Sequence, residues 1–173
     1  MPGTSVFERN LDPAGGRSGI PVVFAKRPLW LLRGKAQLKR KLASHVALNP
    51  ATLPYRTDVL DMLRAEHASG RELILTTATD AGPAEAIAAH LGIFSSVCAS
   101  DGVTNLSGQQ KLRAILLRVG NGGFDYIGDA SVDLPIWRAA NGAILVNPSK
   151  RVLSAAERDA RVSGVLRGQP TLL

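Results

Sequence analysis

Two aspartates four residues apart are the feature of this sequence that most directly suggests chemistry. Asp129 and Asp133 follow the short apolar run Tyr126-Ile127, which ends at Gly128. Neighbouring carboxylates repel each other unless a proton or a cation separates them, and a hard cation such as Mg²⁺ does this well. The spacing therefore indicates a divalent-metal site. An ordinary turn followed by an Asp-capped helix fits the same residues.

The elements around this pair predict where it lies. A buried strand ends at Gly128, and Pro135 suits the first turn of a helix from Leu134 to Ala140. Open α/β sheets bind their ligands at the carboxyl ends of strands. Because glycine has no Cβ, another group can approach the backbone closely at position 128. We expect both carboxylates to face one small volume at this edge.

Two further side chains are expected near the same edge. Thr77 ends the apolar strand Glu72–Thr77, and its hydroxyl can either bond a phosphoryl oxygen or cap the following turn. Lys111 lies near the start of a predicted helix, Gln109–Val119, where it is either an exposed lysine or a positive charge beside the aspartates. A hydroxyl, an ammonium and two carboxylates suit an anion with a divalent metal.

The composition is that of a soluble globular chain. It has 173 residues, of which 45% are hydrophobic and 20% charged, enough for one domain with a core. It contains no apolar run long enough to cross a bilayer, and the N-terminus lacks the order of a secretory signal. Cys98 is the single cysteine and is expected in a buried strand, which excludes an internal disulfide and fits a cytoplasmic location.

The net charge of +7 is concentrated in one segment. Between Ala14 and Thr57 there is no Asp or Glu. The basic residues there are Arg17, Lys26, Arg27, Arg33, Lys35, Lys39, Arg40, Lys41 and Arg56. Such a segment suits an anionic membrane surface, a phosphorylated ligand or a solvated helix face. A nucleic acid is not expected, because no recognised binding motif accompanies the charge.

Apolar strands alternate with helical patterns after residue 54, which predicts a parallel sheet with helices on both faces. We divide the chain into a poorly ordered N-terminus (1–20), a basic helical segment (21–53), an α/β core (54–150) and a tail (151–173). A helix starting at Ser154 is expected within the tail. The run Ile20–Ala25 is a candidate short strand ahead of the basic helix.

The combination of Thr77, Lys111 and Gly128-Asp129-x-x-x-Asp133 resembles the haloacid-dehalogenase-like (HAD) phosphohydrolase superfamily. Thr77 looks like the second motif of this superfamily, Lys111 like the third, and the two aspartates like the fourth. The resemblance covers roughly residues 54–150. The resemblance implies a Rossmann-like sheet, a phosphate site at Thr77 and Lys111, and Mg²⁺ at Asp129 and Asp133.

Six further phrases point to one subgroup of this superfamily: Pro28–Lys35, Leu53–Tyr55, Leu75–Asp80, Ala99–Gly102, Asn105–Gly108 and Phe124–Tyr126. They are similar to the soluble HAD-like domain of bacterial UbiA-type prenyltransferase fusions. This similarity implies a helical cap in the basic segment and a membrane prenyltransferase, or a membrane surface, as a partner.

The first motif of the superfamily, an apolar strand ending in Asp-x-Asp-Gly-Thr, is missing. Its first Asp is the nucleophile that takes the phosphoryl group, and its second is the general acid and base. Asp12 has no strand before it, and Lys26-Arg27 follow the run Val22-Val-Phe24. The run Ile20–Ala25 is the candidate substitute for the missing central strand.

Two functional hypotheses follow. The first is a Mg²⁺-dependent phosphatase of small phosphate esters with an unrecognised nucleophile. The second, which we favour, is a catalytically impaired or non-catalytic module that keeps a phosphate and Mg²⁺ site.

Overall fold

Strands and helices alternate along the chain as the apolar pattern predicts. The computed structural model describes residues 7–9, 22–24, 49–53, 55–100, 108–120 and 123–168, without the side chains of 7–9, 22–24, 78–80 and 100. The strands are β1 (Phe7–Arg9), β2 (Val22–Phe24), β3 (Leu73–Asp80), β4 (Ser96–Ser100), β5 (Asp125–Gly128), β6 (Gly142–Val146) and β7 (Val162–Leu166). The helices are α1 (Thr57–Ala68), α2 (Ala81–Leu91), α3 (Gln109–Val119), α4 (Leu134–Ala139) and α5 (Lys150–Asp159). Short 3-10 turns lie at Pro50–Thr52 and Ser131–Asp133.

The described strands form one sheet in the order β1-β7-β6-β5-β2-β3-β4. All neighbours are parallel except β1, which is antiparallel to β7. Helices α1 and α2 cover one face, where Leu73 and Ile127 are buried. Helices α3, α4 and α5 cover the other, around Tyr126 and Trp137. The predicted parallel sheet with helices on both faces is confirmed.

Strand β2 occupies the centre of the sheet, between β3 and β5. Val22 is level with Leu73 of β3 and Asp125 of β5, and Phe24 is level with Leu75 and Ile127. Val22–Phe24, within the candidate run Ile20–Ala25, therefore fills the central position between β3 and β5. It belongs to the sheet and not to the basic segment 21–53.

The predicted tail is part of the sheet. Helix α5 begins at Lys150 because Ser149 caps it, its Oγ accepting a hydrogen bond from the amide of Val152 at 3.3 Å. The expected start at Ser154 is therefore wrong. Strand β7 then extends the sheet beside β6. Within the segment expected to be poorly ordered, Phe7–Arg9 forms strand β1 on the outer edge of β7.

The basic segment from Lys26 to Lys41, with its predicted helical cap, lies outside the described residues. Its structure and its membrane contact stay predictions. Within the described ranges, no helix is long and apolar enough to cross a membrane.

Candidate functional site

The carboxyl ends of β3 and β5 flank the end of β2 and form the candidate site. Phe24, the last described residue of β2, is level with Leu75 and Ile127. Thr77 lies two residues after Leu75, and Asp129 lies two residues after Ile127. Their backbones are thus two strand spacings apart, about 10 Å, on either side of the line that β2 follows. The structure places these two predicted site residues at the same edge of the sheet, each two residues beyond the last described pairing with β2.

The pairing of β3 with β4 is irregular at this level. Thr76 is level with Cys98 and Asp80 with Ser100, so β3 carries two extra residues in this interval. Such bulges change the direction of side chains and are frequent beside functional sites. Thr77 begins the irregular stretch, and its side chain is buried.

The loop after β5 folds around the carboxylate of Asp133. Asp133 is buried, and its Oδ1 accepts a hydrogen bond from the Tyr126 hydroxyl at 3.1 Å. Its Oδ2 accepts one from the Ala130 amide at 3.2 Å. Asp129 is half-buried. Asp133 is therefore held inside the loop, whereas Asp129 is partly open to solvent.

Glycine is required at position 128 because of Asp133. A Cβ built there would lie 2.9 Å from Asp133 Oδ2 and 3.1 Å from Trp137 Cζ2. The close approach expected at Gly128 is thus made by a side chain of the same loop.

Tyr126 is the residue of this site that the sequence analysis missed. Burial raises the pKa of the Tyr126 hydroxyl well above its ordinary value, and the charge and hydrogen bond of Asp133 raise it further. The charge of Asp129 acts in the same direction, whereas a hydrogen bond from the Thr76 side chain opposes the rise. A tyrosine within an apolar strand was the available signal, since a buried hydroxyl usually has a hydrogen-bond partner.

Lys111 is completely buried, unlike an ordinary surface lysine. It lies in the first turn of α3, and this helix begins against the loop that carries Asp133. A Cβ at Gly108, the residue before α3, would lie 3.7 Å from Val132 Cγ2. Burial raises the pKa of the Cys98 thiol, and the nearby charges of Arg118 and Lys111 oppose that rise. The charge of Lys111 therefore acts on Cys98 in β4, while the residue before its helix lies against Val132 of the aspartate loop.

The donor set fits a weakly held Mg²⁺ ion. Among the described residues no group of three or more His, Cys, Asp and Glu side chains is placed to hold a metal. The two carboxylates of Asp129 and Asp133 are the donors that this loop offers, and carboxylate oxygens are ligands that Mg²⁺ accepts. Mg²⁺ retains several waters when a protein supplies one or two carboxylates, so this set is sufficient for a weak site.

Solved phosphatases share this architecture at low sequence identity. A probable phosphoserine phosphatase of Vibrio cholerae matches with a TM-score of 0.55 and 13% identity, over 83% of this chain and 60% of that one. The cobalt-bound deoxy-D-mannose-octulosonate 8-phosphate phosphatase YrbI of Haemophilus influenzae matches with a TM-score of 0.53 and 17% identity. This match covers 80% of this chain and 74% of that one. The D,D-heptose 1,7-bisphosphate phosphatase of B. bronchiseptica, complexed with magnesium and phosphate, matches with a TM-score of 0.54 and 14% identity. This match covers 83% of this chain and 91% of that one. The chain has a HAD-like fold.

Sequence comparison gives a relative but no activity for the HAD-like chain. It is 42% identical over 119 residues to the uncharacterized protein y4nM of Sinorhizobium fredii. That match covers 69% of this chain, yet the chain spans less than a quarter of the relative, 23% of its length. No protein-family profile matches the sequence.

Proposed function

We propose that this HAD-like domain binds a phosphorylated small molecule and Mg²⁺ but does not form the phosphoenzyme of its superfamily. It is accordingly a non-catalytic or strongly impaired module. The observation that supports this proposal is the identity of the central strand. Strand β2 lies between the strands that carry Thr77 and Asp129, at the place of the nucleophile strand, and the chain has no Asp or Glu from residue 13 to residue 57.

Asp12 is the nearest carboxylate before this interval and lies outside the described residues. In the sequence it follows Arg9-Asn10-Leu11 and not an apolar strand, and Ala14 stands two residues after it, where the first motif has its second Asp. Asp12 therefore does not match the nucleophile motif of the superfamily.

The retained residues support binding without attack. The Thr77 hydroxyl can donate to a phosphoryl oxygen, and the buried ammonium of Lys111 supplies a positive charge that is little screened by water. Asp129 and Asp133 would hold Mg²⁺, which when bound neutralises phosphoryl charge. The magnesium and phosphate of the heptose bisphosphate phosphatase are consistent with this assignment.

Association with a membrane prenyltransferase is part of the proposal and rests on the sequence similarity to UbiA-type fusions. The short match to a longer relative is consistent with a domain that acts within a larger protein.

The test combines binding with turnover. Isothermal titration should show that the wild-type chain binds Mg²⁺ and inorganic phosphate weakly. The Asp129→Asn protein should bind no Mg²⁺. Hydrolysis of a generic aryl phosphate in the presence of Mg²⁺ should stay at background for both proteins. Mg²⁺-dependent turnover that Asp129→Asn abolishes would contradict the proposal and establish an active phosphatase with another nucleophile.

A further inference from the structure

The hydroxyl of Tyr126 connects two strands that are not neighbours in the sheet. It donates to Asp133 Oδ1 at 3.1 Å, and the side chain of Thr76 in β3 is hydrogen-bonded to the same hydroxyl. Strand β2 separates β3 from β5, so this connection passes over the central strand. Tyr126, Thr76 and Asp133 are all buried. The connection is therefore shielded from water along its length.

The same contacts close the loop that carries Asp129. Asp133 Oδ2 accepts from the Ala130 amide, and the Asp133 amide donates to the Ala130 carbonyl at 2.9 Å. Asp129 lies between Gly128, where an added Cβ would lie 2.9 Å from Asp133 Oδ2, and Ala130, whose amide donates to the same oxygen. The position of Asp129 thus depends on where Asp133 is held.

We propose that Tyr126 is a positioning residue for the Mg²⁺ site: its hydroxyl, anchored on Thr76, holds Asp133 and thereby the loop that presents Asp129. This inference rests on the proposed function, because it concerns the metal site of that proposal. Tyr126 need not touch the ion for the affinity to depend on it. Groups that orient metal ligands in this way typically change metal affinity by about 10- to 100-fold when they are removed.

The chain offers a matched control for the loss of this hydroxyl. Its two tyrosines are Tyr55 and Tyr126. The Tyr55 hydroxyl is buried too, but it has no hydrogen-bond partner among the described residues. Tyr55 stacks on His90, with ring centroids 6.1 Å apart, and packs on the face of the sheet opposite Tyr126. Tyr55→Phe and Tyr126→Phe therefore make the same chemical change at two buried sites, one of which is bonded to the aspartate loop.

The experiment measures the Kd for Mg²⁺ by isothermal titration, at a temperature where circular dichroism shows each protein folded. We expect Tyr126→Phe to raise the Kd by about tenfold. Tyr55→Phe should change it less than twofold. Where a protein is fully folded, a lower stability alone does not change its Kd for Mg²⁺. A change in Kd therefore indicates a positioning role for the hydroxyl and not a general role in packing. If Tyr126→Phe does not fold, Thr76→Val replaces it and should raise the Kd several-fold.

The outcomes separate the two proposals. If the wild-type chain binds no Mg²⁺, the proposed metal site is wrong and the positioning role is excluded with it. If the wild type binds Mg²⁺ and Asp129→Asn does not, while Tyr126→Phe or its replacement retains the wild-type Kd, the metal site stands and the positioning role of Tyr126 is overturned. Equal weakening by Tyr55→Phe and Tyr126→Phe also overturns it.

Discussion

Arg71 and Asp125 form a buried ion pair across the central strand of the sheet, with Arg71 Nη2 2.9 Å from Asp125 Oδ2. Arg71 precedes β3 and Asp125 begins β5, and β2 lies between these strands. The other terminal nitrogen of Arg71, Nη1, lies 2.9 Å from Glu66 Oε2 at the end of α1. This cluster lies at the amino ends of the strands, whereas Thr77 and Asp129 lie at their carboxyl ends. Polar contacts thus connect β3 to β5 at both ends of β2.

Arg71→Met should strongly destabilise the fold. It removes a guanidinium that lies 2.9 Å from each of two buried carboxylates, Glu66 and Asp125, and breaking a buried pair in this way costs about 3–5 kcal/mol. The free energy of unfolding from urea denaturation measures the effect.

Arg64→Met is the control for this substitution. Arg64 pairs with Asp61 at 3.7 Å, and their side chains are 60% and 72% exposed. Exposed pairs contribute at most about 1 kcal/mol, so Arg64→Met should change stability little. Equal losses from the two substitutions would show that the buried cluster does not hold the strands together.

Gly128→Ala should destabilise the aspartate loop. The added Cβ would lie 2.9 Å from Asp133 Oδ2 and 3.1 Å from Trp137 Cζ2. Overpacking of this kind typically costs about 1–3 kcal/mol. Thermal or urea unfolding measures the loss, and displacement of Asp133 should weaken Mg²⁺ binding in parallel.

Gly82→Ala provides the comparison. Gly82 lies in the first turn of α2, and nothing lies within 4 Å of a Cβ built there. Alanine is favoured over glycine within a helix by about 0.5–1 kcal/mol, so this substitution should be neutral or stabilising. A Gly128→Ala protein as stable as Gly82→Ala would mean that the loop can move away from the added methyl group.

Neither tyrosine should ionise at the ordinary pKa in the folded chain. Burial raises the pKa of Tyr55 from 10.0 to about 12 and raises that of Tyr126 well above its ordinary value. Because the folded-state pKa of Tyr55 exceeds the unfolded one, its contribution to stability is complete below pH 10 and is lost as the pH rises towards about 12.

Tyrosinate absorbance measures this titration. The folded chain should contain almost no tyrosinate at about pH 10. In the urea-unfolded chain, both tyrosines should be half-ionised at this pH. Tyr55→Phe should remove the earlier of the two folded-state steps. A step at the ordinary pKa in the folded wild type that disappears in Tyr55→Phe would contradict the burial of this hydroxyl.

Lys111→Met should weaken the binding of inorganic phosphate. The substitution keeps a long side chain in the buried position and removes the ammonium that we assign to the phosphoryl group. Isothermal titration should show at least a tenfold loss of affinity, which is about 1.4 kcal/mol. Arg113→Met, at an exposed position of the same helix, should retain the wild-type affinity. Equal losses would indicate that phosphate responds to the overall charge of α3 and not to Lys111.

The sequence by itself determined the elements and the residue types of the site. The apolar runs before Thr77 and Gly128 predicted β3 and β5, and the positions of the two aspartates after a strand predicted the loop at its carboxyl end. These inferences succeed because strand alternation, helix periodicity and turn chemistry are local properties, readable within a few residues of one another.

Only the tertiary structure decided which of these residues depend on one another. Tyr126 and Asp133, which are hydrogen-bonded, lie seven positions apart in the sequence. Arg71 and Asp125, which are also hydrogen-bonded, lie fifty-four positions apart. Likewise, the complete burial of Lys111 appears only in the folded chain, and the central place of Val22–Phe24 follows from pairing with β3 and β5. Strand order and buried polar contacts join segments far apart in the chain, and the choice between partners depends on the packing of the whole sheet, which no local pattern of residues encodes.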